Sequence, residues 1–289
     1  MHRIEILGID KFKGKNVLSG YYVNTLADHL VTSHQHIEKP HKHDFYATMV
    51  FTSGMGSHTV DFKTYEVKRG SVFMMSPGQV HHWELSEDAD GFIFFHTAAF
   101  YEMRFSDELL SDYAFFSQVR SVDHVDLPAS VIDDFTRHFR EMSEAGFRDE
   151  KSKRHFIISH ITQIYLEIDR ALPNGSLAQN RSGYAEKFSQ FAKLLETRFR
   201  EEKSPEYYAA ALHITAKHLN RINRETVGQS TSGIILDRVM LEARRKLIHA
   251  TGNYNEIASA LGYDDYAYFS KLFKKKVGVT PSGFRKRFR

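Results

Sequence analysis

The sequence predicts two domains of different fold class, an antiparallel β-barrel with covering helices followed by an all-α domain. Three observations carry this prediction. Residues 40–96 alternate apolar and polar side chains with a period of two, residues 183–289 hold a helical repeat, and the net charge changes sign between these segments. A chain of 289 residues is also long enough for two domains of ordinary size.

Composition excludes several classes of protein. Hydrophobic residues make up 42% and charged residues 26% of the chain, which is typical of a folded globular protein. No run approaches 18 consecutive apolar residues, so no membrane-spanning helix is predicted. Cysteine is absent, which excludes disulfides, thiolate metal sites and a cysteine nucleophile. Residues 1–5 lack the apolar core of a signal peptide, so we expect a cytoplasmic protein.

Charge divides the chain into an acidic part and a basic part. Residues 1–180 carry 18 Lys and Arg against 25 Asp and Glu, whereas residues 181–289 carry 21 against 11. The first 180 residues also hold 14 of the 17 histidines. A strongly basic domain is the natural place for a polyanion site, so the two domains are predicted to have different partners.

The alternation in the first domain predicts short strands separated by turns. Phe45, Ala47, Met49 and Phe51 lie on one face of a strand, and the residues between them lie on the other. Short strands at regular spacing are typical of an antiparallel barrel or sandwich. The breaks between the predicted strands fall at Gly54, Gly56, Gly70, Pro77 and Gly78.

Helical periodicity begins after Ala98. Apolar residues recur at three- and four-residue steps near Leu109, over 131–142 and over 154–170. The last stripe either covers the barrel or forms the seam of a dimer, and we expect dimerisation along it. Breakers and polar residues then predict a linker at 173–182, between a domain at 1–172 and a domain at 183–289. The stripe consists of Ile157, Ile158, Ile161, Ile164, Tyr165 and Ile168.

Residues 212–228 and 263–278 are two copies of one pattern, about fifty positions apart. Each copy predicts a short helix, a tight turn and a second helix, which is the helix-turn-helix arrangement. Between the copies, residues 232–249 predict one amphipathic helix of about 27 Å. The residues predicted to cap helices or form turns are Ser204, Pro205, Thr215, Gly228, Asn253 or Asn255, Gly262 and Asp265.

The second copy resembles the AraC/XylS family of bacterial transcription regulators. The matching residues run from Glu256-Ile257-Ala258 through Leu261-Gly262-Tyr263 and Tyr268-Phe269-Ser270-Lys271 to Gly278-Val279-Thr280-Pro281 and Phe284-Arg285. The first copy diverges at Asn223, where the family usually has Phe. The resemblance implies double-stranded DNA as a partner, with the second helix of each copy entering the major groove.

Carried over by position, the resemblance implies two sets of DNA contacts. Arg and Lys donate to guanine, Asn pairs with adenine, and Tyr or Ala packs on a thymine methyl. Tyr268 is predicted to be half-buried. The base-reading set is Lys217, Asn220, Arg221, Tyr266, Ala267, Ser270 and Lys271. The phosphate set is Thr215, Lys274, Lys275, Lys276, Arg285, Lys286, Arg287 and Arg289.

The first domain resembles, more loosely, the cupin-like sensor domain of the same family. The matching segments are 40–46 and 70–83. Metal-binding cupins use His-x-His, a Glu three or four residues later, and a further His. The histidines are present here, but Ala47 and Thr48 stand at the Glu position, so no metal or other cofactor is predicted. The residues assigned to an effector are His41, His43, Tyr46, His81 and Trp83.

Three functions fit these patterns. The first is a DNA-binding regulator, without enzymatic activity, whose barrel binds a small-molecule effector. The second is a metal-dependent cupin enzyme with a DNA-binding tail, and the third is a barrel used only for dimerisation. The missing Glu favours the first. Its predicted partners are DNA, an unidentified small molecule, a second copy of the chain and RNA polymerase, and no membrane.

Overall fold

A computed structural model describes residues 6–12, 18–37, 40–102, 110, 113–117, 122–172, 183–249 and 253–287. Contacts among them form two compact units, one from the β-rich part before residue 173 and one from the helical part after residue 182. The predicted linker, Leu109 and Arg289 lie outside the described residues, so the predicted domain boundaries stay predictions.

The first unit begins with strand pairs and ends with two long helices. Its elements are β1 (Ile6–Leu7), β2 (Tyr21–Thr25), α1 (Leu26–Ile37), β3 (His41–His43), β4 (Tyr46–Ser53), β5 (Gly56–Val60), β6 (Lys63–Val67), β7 (Ser71–Met75), β8 (Val80–Leu85), β9 (Asp90–His96), α2 (Ala98–Glu102), β10 (His124–Asp126), α3 (Ala129–Glu144) and α4 (Glu150–Ala171), with 3₁₀ turns at Ile9–Lys11 and Ala114–Phe116.

The strands form two separate five-stranded sheets. The first has the order β1-β3-β8-β5-β6 and the second β10-β7-β4-β9-β2. All pairs are antiparallel except β1 with β3. The β architecture is therefore confirmed in its antiparallel character, but over the described residues it is a two-sheet arrangement and not a closed barrel.

The predicted alternation along β4 is confirmed. Phe45, Ala47, Met49 and Phe51 are fully buried in the interior cluster, together with Phe73 and Phe95 and other apolar side chains of both sheets. The alternate residues Thr48 and Val50 are also buried, because helices cover the opposite face of this sheet. A central strand buried on both faces explains why so few of its positions are polar.

The isoleucine stripe belongs to that covering layer. Ile157, Ile161, Ile164 and Ile168 on α4 are completely buried within the single chain, in a cluster shared with α3 and the outer face of the second sheet. The prediction of a dimer seam along this face is wrong, because the side chains are already covered by their own domain. The alternative, a helix that covers the β layer, is the one observed.

Several elements were not predicted. Strand β2, helix α1 and strand β10 lie outside the segment of clear alternation. Strand β2 reads Tyr-Tyr-Val-Asn-Thr, with its first three residues all buried, so it shows no period of two. Strand β10 has only three residues, too few for a periodic signal.

Buried histidines are a further feature of the first unit. The ring of His29 contacts the Tyr22 hydroxyl at 3.0 Å, and His96 Nε2 contacts the Tyr165 hydroxyl. Burial lowers the pKa of His29 and of His58 from 6.5 to about 3, and that of His96 to about 4. These imidazoles are therefore neutral in the folded protein at neutral pH.

The second unit is entirely helical over its described residues. It consists of α5 (Gly183–Arg198), α6 (Pro205–Ala211), α7 (Ala216–Val227), α8 (Thr231–His249), α9 (Tyr254–Ser259), α10 (Tyr266–Val277) and α11 (Pro281–Arg287). The pairs α6–α7 and α9–α10 are the two predicted helix-turn-helix copies. Among the described residues no helix is long and apolar enough to cross a membrane.

Local capping fixes the ends of these helices as predicted. Ser204 caps α6 ahead of Pro205, Thr215 caps α7, and Asp265 caps α10. Asn253, not Asn255, caps α9, and it forms a capping box with Glu256. Gly228 and Gly278 end α7 and α10 in the left-handed conformation.

The turn of the second copy requires glycine for two reasons. Gly262 has a φ of +74°, and a Cβ there would lie 1.9 Å from the Arg200 carbonyl oxygen. The first copy uses His213 at the corresponding left-handed position, with φ +56°. The turn of the second copy is thus packed directly on the segment that follows α5.

A buried arginine holds α8 against α5. Arg238 Nε donates to both carboxylate oxygens of Glu196, at 2.9 and 3.0 Å, and its guanidinium stacks 3.9 Å from the centre of the Phe199 ring. Its Nη1 lies 3.5 Å from Glu242 on the next turn of α8. Because Arg238 is buried and the two glutamates are only partly exposed, loss of the glutamates would leave a buried charge uncompensated.

Replacing Ile161 with Ala should lower the free energy of unfolding by about 2–5 kcal/mol, because a core side chain is truncated and a cavity remains. Chemical denaturation of the whole chain measures this. Leu166→Ala on the same helix is the matched control, since Leu166 is 41% exposed. It should cost under about 1 kcal/mol. An Ile161→Glu chain that stays folded and only dissociates would contradict the core assignment.

Acid should destabilise the first unit. The unfolded chain takes up protons at histidine below about pH 6.5, whereas His58 in the folded state resists protonation down to about pH 3. The free energy of unfolding should therefore fall as the pH drops from 6.5 towards 3, by about 2 kcal/mol per such histidine between about pH 7 and 5. Denaturant melts at both pH values measure this.

The matched pair of variants for this measurement is His58→Gln and His213→Asn. The first should shrink the difference between the two pH values, because one buried neutral imidazole is gone. The second replaces an exposed histidine at a left-handed position that Asn tolerates, and it should leave the difference unchanged. Equal pH dependence in both variants would contradict the role of the buried rings.

Candidate functional site

Helix α7 presents two long basic side chains to solvent. Lys217 and Arg221 lie one turn apart and are both exposed. Arg221 Nη2 contacts His218 Nδ1 at 2.9 Å, and its guanidinium lies 5.6 Å from the centre of the Tyr184 ring on α5. The contacts hold Arg221 in place beside the helix while its remaining donors face outward.

Asn220 does not share this exposed position. It is half-buried, and its Oδ1 accepts a hydrogen bond from the Thr231 backbone N–H at 3.1 Å. Bidentate pairing with adenine needs both the carbonyl and the amino group of Asn. In the structure Asn220 caps the start of α8, and base reading by Asn220 stays a prediction.

Asn223 supports the same junction. It is fully buried, and its Nδ2 donates to the Thr231 hydroxyl at 2.9 Å. Two asparagines on α7 thus bind the backbone and the side chain of the first residue of α8. This explains how a polar residue occupies the position where the family usually has an aromatic one.

Helix α10 presents a second exposed row. Ala267 and Lys271 are exposed, while Tyr266 and Ser270 are partly buried, and the Tyr266 ring stacks 6.0 Å from that of Tyr254. Tyr268 was predicted to be half-buried, but it is 58% exposed, because its ring lies beside Tyr263 at 6.1 Å and is not covered. The exposed surface of α10 is therefore wider than predicted.

The described phosphate contacts of the prediction, apart from Arg285, divide into three groups. Lys274, Lys275, Lys286 and Arg287 are exposed. Lys276 is also exposed, but its Nζ lies 2.6 Å from Asp237 Oδ1 on α8. Thr215 caps α7, with its hydroxyl accepting from the His218 N–H at 3.1 Å.

The structure contradicts the predicted phosphate contact of Arg285. Arg285 is only 8% exposed, its Nε donates to the Leu247 carbonyl at 3.0 Å, and its guanidinium lies 4.3 Å from the centre of the Tyr254 ring. A phosphate contact needs a guanidinium that reaches solvent. Arg285 instead joins α11 to α8 and α9.

The first unit brings the predicted histidines together. His41 and His81 are cross-strand partners on β3 and β8, and His43 lies two residues along β3 on the same face. His81 Nε2 contacts His43 Nε2 at 2.7 Å. One ligand atom from each of His41, His43 and His81 lies within 4.8 Å of the others. All three side chains are buried.

His58 is a fourth member that sequence reasoning missed. Its Nε2 contacts His81 Nδ1 at 3.0 Å, which extends the contacts into a chain from His43 through His81 to His58. The signal that would have found it is the period of two in β5, which places His58 on the same face as the buried Val60. The prediction of the cluster relied on the His-x-His spacing, and His58 does not belong to such a pair.

Burial dominates the electrostatics of this cluster. Desolvation, followed by repulsion from neighbouring histidines, lowers the pKa of His43 and of His81 well below 6.5. The rings are thus neutral, the form that either binds a metal ion or exchanges hydrogen bonds. Both ring nitrogens of His81 already contact other imidazoles, so the cluster satisfies His81 without an ion.

Trp83 and Tyr46 occupy different faces. Trp83 is partly buried beside the cluster, with its ring centre 5.3 Å from that of His81 and 5.5 Å from that of His58. Tyr46 stacks on His96 at 5.6 Å and contacts Phe116, on the helix-covered face of the second sheet. The prediction that Tyr46 joins the histidines is wrong, because alternation along β4 turns it away from the interior.

The donor set fits a metal ion only in part. Three imidazoles would leave one tetrahedral position open. The carboxylate that metal-binding cupins supply has no counterpart, since Ala47 is buried in the interior where that side chain would be. His41 and Trp83 lie with ring centres 6.5 Å apart, so an aromatic ring closes one side of the cluster.

Two families match this chain, one in each unit. Residues 29–131 match an AraC-like ligand binding domain, and residues 208–287 match a helix-turn-helix domain. The first match spans β3 to β10 and the histidine cluster. The second match spans both helix-turn-helix copies and α8 between them.

Similarity extends along most of the chain. The HTH-type transcriptional activators RhaS of Enterobacter sp. (strain 638) and of Klebsiella pneumoniae (strain 342) are 21% and 23% identical to it, over 85% of this chain and 86% of each relative. Among solved structures, ToxT from Vibrio cholerae O395 is 14% identical, with a TM-score of 0.46 over 84% of this chain and 88% of that one.

The matches agree with what the two units contain. The β unit carries the ligand-binding match, and the helical unit carries paired helix-turn-helix copies whose second helices expose Lys217, Arg221 and Lys271. The chain belongs to the AraC/XylS family and is a DNA-binding transcriptional regulator with an N-terminal ligand-binding domain.

Proposed function

We propose that α7 and α10 read two segments of major groove, and that a small molecule bound in the first unit controls this binding. The observation that carries the proposal is the repeated unit itself. In each copy a short helix packs behind the second helix, whose N-terminus is capped and whose outer side chains are exposed and mostly basic or small. This is how a recognition helix is presented to DNA.

Helix α8 sets the separation of the two copies. Its 19 residues span about 28 Å. This is close to the pitch of about 34 Å between successive major-groove segments on one face of DNA. The Asn220 and Asn223 bonds to Thr231 fix α7 on one end of α8, and Arg285 fixes α11 near the other end.

The proposed base-reading side chains are those that the structure leaves facing outward. In the first copy they are Lys217 and Arg221, which donate to guanine. In the second copy Lys271 and Ser270 supply polar groups, and Tyr266, Ala267 and Tyr268 supply apolar surface for thymine methyl groups. Tyr268 is the addition that its exposure supports.

Phosphate contacts would come from the exposed basic side chains around α10 and α11. Lys274, Lys275, Lys286 and Arg287 supply affinity that depends on salt and not on sequence. Lys276 is paired with Asp237, so its charge is partly compensated before DNA arrives. Thr215, at the start of α7, offers its hydroxyl hydrogen to a phosphate beside the helix N-terminus.

The effector site is proposed at the histidine cluster and Trp83. Neutral imidazoles offer both donors and acceptors, and the indole adds an apolar face with one N–H. His41, His43 and His81 would orient polar groups of a ligand such as a sugar or an aromatic acid. His58, already bonded to His81, would hold that ring in position.

RNA polymerase and a second copy of the chain are proposed as further partners because the chain is a transcriptional regulator, and not from an observed contact. The RhaS relatives are transcriptional activators by name, and an activator acts on RNA polymerase. A homodimer remains proposed without the α4 face, because that face is buried. A DNA partner fits the predicted cytoplasmic location.

A metal-dependent cupin enzyme with a DNA-binding tail is the second candidate. The observation that favours it is the approach of His41, His43 and His81 within 4.8 Å. Two observations favour a domain that binds an effector without converting it. Ala47 stands where the metal-binding carboxylate would be, and His81 contacts two other imidazoles directly.

Two kinds of DNA variant should behave differently. Arg221→Ala and Lys271→Ala should each weaken binding to a selected target by about 1–3 kcal/mol and relax the preference at a few base pairs. Lys275→Ala should weaken selected and scrambled duplexes alike and lower the salt slope by about 1. Fluorescence anisotropy on a target selected from a random library, at several salt concentrations, measures both.

Arg148→Ala is the matched control, because Arg148 is an exposed arginine of the first unit. Its affinity for both duplexes should equal that of the unmodified chain. If Arg221→Ala and Lys271→Ala weaken target and scrambled DNA equally, neither residue reads bases.

Effector binding should change the emission of Trp83, the only tryptophan in the chain. Compounds that raise the melting temperature in a screen of sugars and aromatic acids are titrated while this emission is followed. The bound effector should change DNA affinity by about 5–150-fold, and DNA should change effector affinity by the same factor. His41→Gln should lose the response and keep basal DNA binding.

Chemical conversion of the bound compound would contradict the receptor proposal. Stoichiometric iron, zinc or manganese that is lost in His41→Gln, together with product formation, would support the enzyme instead. If a compound binds but the DNA affinity is the same with and without it, the first unit has a ligand site that does not control DNA binding.

A further inference from the structure

A second cluster of histidines and carboxylates lies between α3 and α4, outside both proposed sites. His138 and Glu141 lie one turn apart on α3, and His160 and Glu167 lie two turns apart on α4. One ligand atom from each of His138, Glu141 and His160 lies within 4.8 Å of the other two. Both imidazoles are buried.

The contacts within the cluster cross between the two helices in a reciprocal way. The Nδ1 atoms of His138 and His160 are 2.9 Å apart. Each Nε2 then faces a carboxylate of the opposite helix: His138 faces Glu167 at 3.5 Å, and His160 faces Glu141 at 3.4 Å. The nitrogens meet in the centre, and the carboxylates stand at the two outer ends.

Counting hydrogens shows what this arrangement lacks. A hydrogen bond between the two Nδ1 atoms takes one proton, and full pairing of each Nε2 with the carboxylate that it faces takes one more on each ring. Two neutral imidazoles carry only two N–H groups between them. Protons alone therefore fill all three contacts only if one of the two buried rings becomes an imidazolium, and a buried charge is disfavoured.

A divalent cation satisfies the same contacts without an imidazolium. Two neutral rings would each give one lone pair to the ion beside a Glu141 oxygen, and His138 would donate its Nε2–H to Glu167. Histidine ligands held in this way by carboxylates are the usual outer arrangement of metal sites. The two negative charges of Glu141 and Glu167 would balance the charge of the ion.

We propose that His138, Glu141 and His160 bind a divalent transition-metal ion of the zinc class between α3 and α4, with Glu167 orienting the His138 ring. Two imidazole nitrogens and a carboxylate oxygen suit this class of ion, and one position stays open for water. Glu141 and Glu167 are 44% and 37% exposed, so the ion enters from solvent. The Phe156 ring, 4.3 Å from that of His160, shields the other side.

The site would act on stability and not on chemistry. Helices α3 and α4 cover the outer face of the second sheet, and the ion would join them near the middle of each helix. A ligand that binds only the folded state shifts the unfolding equilibrium by about 100-fold at a concentration of 100 Kd. Zinc should therefore raise the melting temperature of the whole chain.

Metal binding at this cluster must be distinguished from metal binding at His41, His43 and His81. The background is therefore the full chain carrying His81→Gln, shown to be folded by circular dichroism. Titration with Zn²⁺ and Co²⁺ should give one bound equivalent in this background, and Co²⁺ should show the visible absorption of a four-coordinate site with N and O ligands. Adding His160→Gln should remove that equivalent and the absorption.

Graded variants in the same His81→Gln background give a second readout that spares the core. Glu141→Gln and Glu167→Gln should each weaken Co²⁺ binding at this site by about 10–100-fold. Glu144→Gln, an exposed acid on the same helix, is the matched control and should leave affinity unchanged. Failure of the His81→Gln chain to bind an equivalent, or equal affinity in Glu141→Gln and Glu144→Gln, would overturn the proposal and leave a purely hydrogen-bonded pair.

Discussion

Burial of the second sheet on both of its faces is the constraint on which the first unit depends. One face of β4 packs into the interior through Ala47 and Met49, and the other packs against α3 and α4 through Val50. Neither face can be left in water, because the strand is apolar on both sides. The two long helices are therefore part of the β domain's core and not an attachment to it.

This constraint also separates the two groups of histidines. His43, His58 and His81 lie on strands of the first sheet and face the interior, whereas His96 lies on the second sheet and packs on its helix-covered face against Tyr165. Each group is held neutral by burial and by polar contacts from its own face. A ligand at the interior cluster would meet the same sheet whose outer face carries the helices, so the sheet is a shared wall between the proposed effector site and the helical layer.

Sequence reasoning was strongest where local chemistry decides the structure. Caps at Ser204, Thr215 and Asp265 depend on a few neighbouring residues, and each was predicted correctly. Errors arose where tertiary contacts decide. The burial of the Ile161 face and the face on which Tyr46 lies depend on which element covers the sheet, and a periodic pattern does not identify the covering partner. Arg285 and Asn220 look like DNA contacts by type and position, but hydrogen bonds to Leu247 and Thr231 engage them inside the domain.

Arg238 ties α8 to α5 through Glu196 and Phe199, while two asparagines bind α7 to the start of α8. These contacts join α5, α7 and α8, and the Lys276–Asp237 pair adds a contact from α10 to α8, so on the proposed mode of DNA binding α7 and α10 would keep one separation. On the proposed binding mode, a target site would therefore offer its two base-pair blocks at one fixed rotational phase. Inserting about five base pairs between the blocks, half a turn of the duplex, would move one block to the far side of the DNA. Inserting a full turn would restore the phase but exceed the length of α8, so natural target sites should keep a constant spacing between the blocks.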